Sequence, residues 1–160
     1  MVELVIRDEV RRLLPAPLCR SLGRRLRAAL RQLGRSRSQV TLLLTGDAEI
    51  RALNRRYRKL DRATDVLSFH QQELRGAEDP AGDGAFLGDI VISAETALRR
   101  ASGRRLPGEL ARLAIHGLCH LFGYDHHRLA EAKRMRALES RLLRATRPLW
   151  PQAPGFRSRR

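Results

Sequence analysis

The sequence predicts an α+β domain in which a small mixed β-sheet is covered by helices. Short β-rich runs alternate with segments whose apolar residues recur at helical spacing, in the order β-α-β-α-β-β-α-α-α. The 160 residues suit one domain, and a chain of this size buries roughly 70% of its unfolded surface in one core. Aromatic residues make up only 4% of the chain, so that core must rest on Leu, Ile, Val and Ala. Residues 1–150 are expected to form a single domain, and 151–160 a disordered basic tail rich in proline and arginine.

Val2 to Arg7 alternates and is β-rich, giving a first strand. From about Pro17 to Leu33, Leu18, Leu22, Leu26, Ala29, Leu30 and Leu33 fall on one helical face. Gly34 stands where a glycine closes a helix, and Arg20, Arg24, Arg27 and Arg31 stud the opposite face. Val40 to Thr45 is an apolar strand. The turn at Gly46–Asp47 leads into a second helix, with Asp47 as the expected N-cap and Ile50, Leu53, Asn54 and Tyr57 on one side.

Val66 to Phe69 is a short strand, and the glycine- and proline-rich stretch from Glu73 to Gly84 reads as a mobile surface loop. Leu87 to Ser93 returns to strand character. Ser93 caps a helix expected to run to about Ser102 and to stop at Gly103. Pro107, at the first helical position, opens another helix that Gly123 ends. A last amphipathic helix spans about Arg128 to Thr146, with Met135, Leu138 and Leu142 inward.

Formal net charge is +15, and nearly every basic residue is arginine, Lys59 and Lys133 being the lysines. Such a surplus attracts polyanions such as RNA, DNA or an anionic membrane. A bias toward arginine across ordinary solvated faces gives the same number, so charge alone does not choose between the two. Cys19 and Cys119 have no framework spacing and read as reduced thiols. The N-terminus carries Glu3, Asp8 and Glu9 and does not read as a signal peptide. No apolar run reaches the roughly 18 residues of a membrane span. A cytosolic protein without a membrane role is expected.

The chemistry concentrates in His116-Gly-Leu-Cys-His120-Leu-Phe-Gly-Tyr-Asp-His126. Positions i and i+4 of a helix project from one face about a turn apart, so both imidazoles can address one ion. Gly123 then breaks the helix, and the chain can return to bring His126 to the same point. Three imidazoles leave one tetrahedral position open for water, the catalytic arrangement of a zinc-like ion. His116, His120 and His126 are therefore the expected metal ligands, with His127 exposed; His70, after the Val66–Phe69 strand, either lies near the site or, the favoured reading, at the surface. Peptidases with the HExxH pattern carry their general base directly after the first histidine, where this chain has Gly117. Asp125 either orients an imidazole or caps the turn. Cys119 lies off the line joining His116 and His120, which favours a buried thiol over a fourth ligand.

These residues carry a family resemblance. His116 to His126 resembles the HGxLHLxGYDH signature of the YbeY family of rRNA-maturation endoribonucleases. Leu53-Asn54 with Tyr57-Arg58, then Thr64 to Phe69, resembles its LNxxYR and PTDVLSFP segments, and Leu87 to Ser93 its LGDIxIS strand. The likeness runs in order from about residue 40 to 145, with Glu131, Met135 and Glu139 repeating the pattern of the helix that follows. It departs at Cys119, Ala63 and His70, which replace a leucine and two prolines.

The resemblance implies one divalent ion, Zn²⁺, on His116, His120 and His126. It also implies cleavage of single-stranded RNA in rRNA maturation, at the 3′ end of small-subunit rRNA, and in ribosome quality control. The implied partners are precursor rRNA and the ribosome or its small subunit. It assigns Arg58 to the reacting phosphate, a role that suits a planar guanidinium. Two other readings stay open from the residues: a metal-dependent hydrolase of a non-RNA substrate, and a non-catalytic rRNA-binding assembly protein. The missing glutamate after His116 argues against a peptidase, and the open coordination position argues against a purely structural metal.

Overall fold

The computed structural model describes residues 1–71, 83–101, 105–125 and 128–149. The expected loop at 73–84, apart from Asp83 and Gly84, the stop at Gly103, and the tail from Trp150 onward therefore lie outside the described residues. So do His126 and His127. The sheet has four strands: β1 (Val2–Ile6), β2 (Gln39–Thr45), β3 (Val66–His70) and β4 (Phe86–Ser93). Its order is β1-β2-β4-β3, with β1, β2 and β4 parallel and β3 antiparallel to β4. This is the mixed sheet that the strand and helix pattern predicts.

The period of two along each strand divides the core. Val40, Leu42, Leu44, Ile90 and Ile92 point to the face covered by α1 (Ala16–Gln32) and the later helices. Leu67, Phe69 and Val91 point to the other face, where they pack with Ile50 of α2 (Asp47–Leu53). Ser68 and His70 consequently share the face of the larger core. Helices α3 (Ala94–Arg100), α4 (Leu106–Leu121) and α5 (Leu129–Thr146) complete the chain. Among the described residues no helix is long and apolar enough to cross a membrane.

Most helix ends fall where local chemistry puts them. Ser93 accepts a hydrogen bond from the Thr96 N–H at 3.0 Å, the expected N-cap of α3. Pro107 occupies the first turn of α4, and Met135, Leu138 and Leu142 are buried along α5. At the end of α4, Gly123 has φ +76°. Its N–H donates to the His120 carbonyl at 2.8 Å, and the Tyr124 N–H donates to that of Cys119 at 3.1 Å. These two bonds satisfy the last carbonyls and need a left-handed residue, which glycine supplies without steric cost.

One local expectation is corrected, and one element is added. Asp47 is not the N-cap of α2; Gly46 is, and Asp47 begins the helix. The Asp47 carboxylate instead accepts from Ser93 Oγ, Thr96 Oγ1 and Arg99, each at 2.6 Å, while its own N–H donates to Glu95 at 2.7 Å. It thereby ties α2 to the start of α3. A single 3₁₀ segment, Asp8–Leu13, also links β1 to α1, carrying the fully buried Val10. No strong periodicity announces so short an element.

Helix α4 lies unusually close to the sheet. A Cβ built on Gly117 would stand 2.7 Å from Ile90 Cγ2 and 3.0 Å from Ser68 Oγ. The Ser68 hydroxyl donates to the Gly117 carbonyl at 3.2 Å, fastening helix to β3. Gly23 of α1 is a contrast, since a Cβ there would meet only the Arg27 guanidinium at 3.6 Å. Gly117→Ala is therefore expected to destabilise the fold by about 1–3 kcal/mol through overpacking. Gly23→Ala should stabilise it by up to about 1 kcal/mol through helix propensity. Denaturant midpoints of the two variants check the opposite signs.

Candidate active site

His116 and His120 emerge from the last turn and a half of α4. With Gly117 turned onto the sheet, His116 lies about 100° to one side and His120 falls on the same flank, by the geometry of 3.6 residues per turn. The two rings stand edge to face with centroids 4.7 Å apart, and their Nε2 atoms are 3.2 Å apart. The Nδ1 of His116 donates to Glu139 Oε1 of α5 at 2.5 Å. That bond turns the lone pair of Nε2 toward His120. A carboxylate behind an imidazole in this way is the usual support of a metal-ligating histidine.

The donor pair fits a metal ion. Two nitrogens bound to one tetrahedral zinc at the usual ~2.0–2.1 Å stand about 3.3 Å apart, close to the 3.2 Å observed. Among the described residues no group of three His, Cys, Asp or Glu side chains is gathered. The expected third ligand, His126, lies outside them. Asp125, its immediate neighbour, lines the same cavity as His116 and His120.

That cavity, of about 600 Å³, gathers most of the residues the sequence singled out. Arg58, His116, His120 and Asp125 all line it, joined by His70 and Asp65. Arg58 closes a widened turn, Asn54–Arg58, in which the Asn54 carbonyl accepts from the Lys59 N–H. Such π-type turns often occur at functional sites. Lys59 follows at φ 61°, and Asn54 Nδ2 donates to the Arg62 carbonyl at 2.8 Å, so both ends of the turn are held. The Arg58 guanidinium donates to the Ser68 carbonyl at 3.0 Å and lies 5.9 Å from the centre of the Phe69 ring. Arg55 and Arg56 do not line the cavity, and Arg56 lies over the Tyr57 ring instead.

Three features were not assigned from sequence. His70, expected at the surface, lines the cavity because it shares the strand face of Ser68; the period of two along β3 pairs the two residues without saying which face holds the cavity. Glu139 carries no role in the sequence beyond a helix pattern, although it falls beside the inward stripe of Met135, Leu138 and Leu142. Asp65 stands in the sequence only as part of a motif. It pairs with Arg100 and sits 3.9 Å from Arg112, which makes a 2.6 Å pair with the buried Glu109. This chain of charges anchors the start of β3 to α3 and α4.

Residues 18–147 match the model of a protein family described as Endoribonuclease YbeY. The chain is 50% identical over 135 residues to "Endoribonuclease YbeY" of Anaeromyxobacter sp. (strain Fw109-5), covering 81% of this chain and 67% of that protein. It is 48% identical over 132 residues to the protein of the same name from Anaeromyxobacter dehalogenans, covering 81% and 65%. Against that of Myxococcus xanthus it is 51% identical over 120 residues, covering 73% and 40%. The matches thus span about two thirds or less of these relatives' own length. The solution structure of TM1509 from Thermotoga maritima superposes with a TM-score of 0.63 at 23% identity, covering 98% of this chain and all of that one. This likeness supports the fold.

Cys119 points away from the cavity and is fully buried in the main core. Burial, with Glu139 nearby as a lesser cause, pushes its thiol up to about 12. Burial likewise raises the Cys19 thiol, against weaker opposing hydrogen bonding and arginine charge. Neither is set up as a thiolate. Both cysteines should therefore resist iodoacetamide in the native protein at pH 8 and react fully once it is unfolded. Mass spectrometry reads this, and rapid native labelling of Cys119 would reopen its case as a ligand.

Proposed function

The chain belongs to the Endoribonuclease YbeY family, and on that premise we propose that it is a metal-dependent endoribonuclease cleaving single-stranded RNA. Its work is rRNA maturation at the 3′ end of small-subunit rRNA and ribosome quality control, on the small subunit and in the cytoplasm. The observation that carries this reading is the convergence of Arg58, His116 and His120 on one open cavity. The net charge of +15 supports a polyanionic substrate.

His116 and His120, joined by His126, would hold one divalent ion, zinc being the best match to an all-imidazole donor set. Such an ion supplies a bound water of lowered pKa and a Lewis-acid contact for a phosphoryl oxygen. The protein's own residues do the positioning. Glu139 holds the His116 ring so that its Nε2 faces the cavity. Arg58, braced by the Ser68 carbonyl, presents its guanidinium to a phosphodiester and offsets the charge that develops on its oxygens. Gly117 leaves no room for a carboxylate at the position where HExxH peptidases keep their base. That steric fact supports a nuclease over a peptidase.

Purified protein is expected to carry close to one equivalent of divalent metal by elemental analysis. His116→Ala, His120→Ala and His126→Ala should each lose most of it, and undiminished metal in all three would refute the site. Glu139→Gln should keep the fold but weaken metal affinity about 10–100-fold, the usual effect of removing a ligand's hydrogen-bond partner.

Arg58→Ala should lower the single-turnover rate on a short single-stranded RNA by ~10²–10³ with metal content unchanged. Arg55→Ala and Arg56→Ala should alter affinity only modestly. Equal rate losses for all three would mean a diffuse basic patch and remove the assignment of Arg58. Binding should weaken steeply with salt, with a log–log slope of roughly −0.7 per phosphate contact.

A further inference from the structure

The far edge of the sheet holds a second groove, remote from the β3 side where the histidines lie. We propose that it receives an extended, acidic segment of a partner protein, added beside β1 as a fifth strand. Three observations converge on that occupant.

The first is the open strand. The Val40 N–H bonds the Met1 carbonyl and the Arg7 N–H bonds the Leu44 carbonyl, each at 3.0 Å. With the parallel register of Val2 on Val40 through Ile6 on Leu44, the peptide groups of odd-numbered residues face β2. Those of Val2, Leu4 and Ile6 face outward, with the Ile6 carbonyl accepting a long hydrogen bond from Arg11 at 3.4 Å. Among the described residues no strand pairs with that edge. An edge without a partner strand templates the addition of another strand.

The second is the space. Helix α1 overhangs the edge, leaving a groove of about 530 Å³ floored by Leu4 and Ile6 of β1 and lined from α1 by Cys19. A strand laid about 4.8 Å beyond β1 would send alternate side chains up beneath α1, into this groove. Gly23 lines it too, and only the flexible end of Arg27, 3.6 Å from where a Cβ would stand, approaches the room it leaves.

The third is charge. Arg20 and Arg27 stand on the rim, both exposed, with no ion pair or hydrogen bond among the described residues. Arg11, also on the rim, is held by Asp8 at 3.0 Å. Helix α1 carries no acidic residue at all. A segment alternating apolar and acidic residues would place apolar groups on the floor and carboxylates against the rim. A second copy of this chain fits poorly, since it would bring its own arginines to the same edge. RNA would use the arginines but neither the apolar floor nor the outward peptide groups.

The test uses a fluorescent eight-residue peptide of alternating glutamate and valine, its lysine–valine counterpart, and a short single-stranded RNA. The acidic peptide should bind in an anisotropy titration and the lysine peptide should not. Arg20→Glu with Arg27→Glu should weaken binding at least tenfold. So should Gly23→Leu, which fills the groove where a Cβ has ordinary van der Waals room. RNA cleavage should be unchanged in both variants. On peptide binding, exchange at the Leu4 and Ile6 amides should slow while that at Glu3 and Val5 stays the same. Absence of acidic-peptide binding, or binding indifferent to both variants or without alternating protection, would overturn the proposal. Variants that weaken RNA binding and leave the peptide unaffected would assign the groove to RNA and equally overturn it.

Discussion

The contact between the backbone of α4 and the sheet at Gly117 governs the geometry of the site. A helix normally stands off a sheet by the length of its side chains. Here a Cβ at position 117 would already reach Ile90 at 2.7 Å, so the helix sits down on β4 and β3. That depth fixes the helix's rotation. With one position pressed onto the sheet, the flank bearing His116 and His120 must open toward the cavity. The same closeness makes the Ser68-to-Gly117 hydrogen bond possible, which couples the helix to the strand that contributes His70 and the carbonyl bracing Arg58. One missing methyl group thus bears on both the histidine pair and the arginine. It also removes the place where a peptidase's glutamate would be.

Around that contact the supporting interactions are electrostatic and mostly join residues distant in sequence. Glu139 restrains one imidazole, and the charges of Asp65, Arg100, Arg112 and Glu109 fasten the start of β3 to α3 and α4. The buried Glu109 would be costly alone, and the bidentate Arg112 keeps it paired. The exposed pairs, such as Arg51 with Asp61, contribute little to stability by comparison. Asp47 does for α2 and α3 what the charge chain does for β3 and α4, in both cases joining elements distant in sequence.

Much of this was legible in the sequence, and the parts that were not share a physical reason. Strands β1 to β4 and helices α1 to α5 follow from periodicity, and Ser93, Gly34 and Gly123 act at the helix ends where cap chemistry puts them. Arg58, His116 and His120 meet because i, i+4 spacing and the widened turn are local devices. Interactions in trans escaped. Asp47 has the residue type of its own helix's N-cap, yet its carboxylate serves a helix some fifty residues on. Glu139 looks like one more charge on a charged helix until α5 is laid across α4. His70 follows a strand whose two faces are both covered, so alternation alone could not say which face held the cavity. Gly117 reads as a missing glutamate in the sequence and as a close approach only in the fold.

The ion proposed on the histidines of α4, and the dependence of RNA cleavage on it, are tested directly by titrating chelator-stripped protein with zinc and measuring single-turnover cleavage of a short single-stranded RNA at each addition. Activity should start near zero, rise linearly and break at one equivalent of metal. Full cleavage by the stripped protein, verified metal-free, would rule out a metal-dependent nuclease.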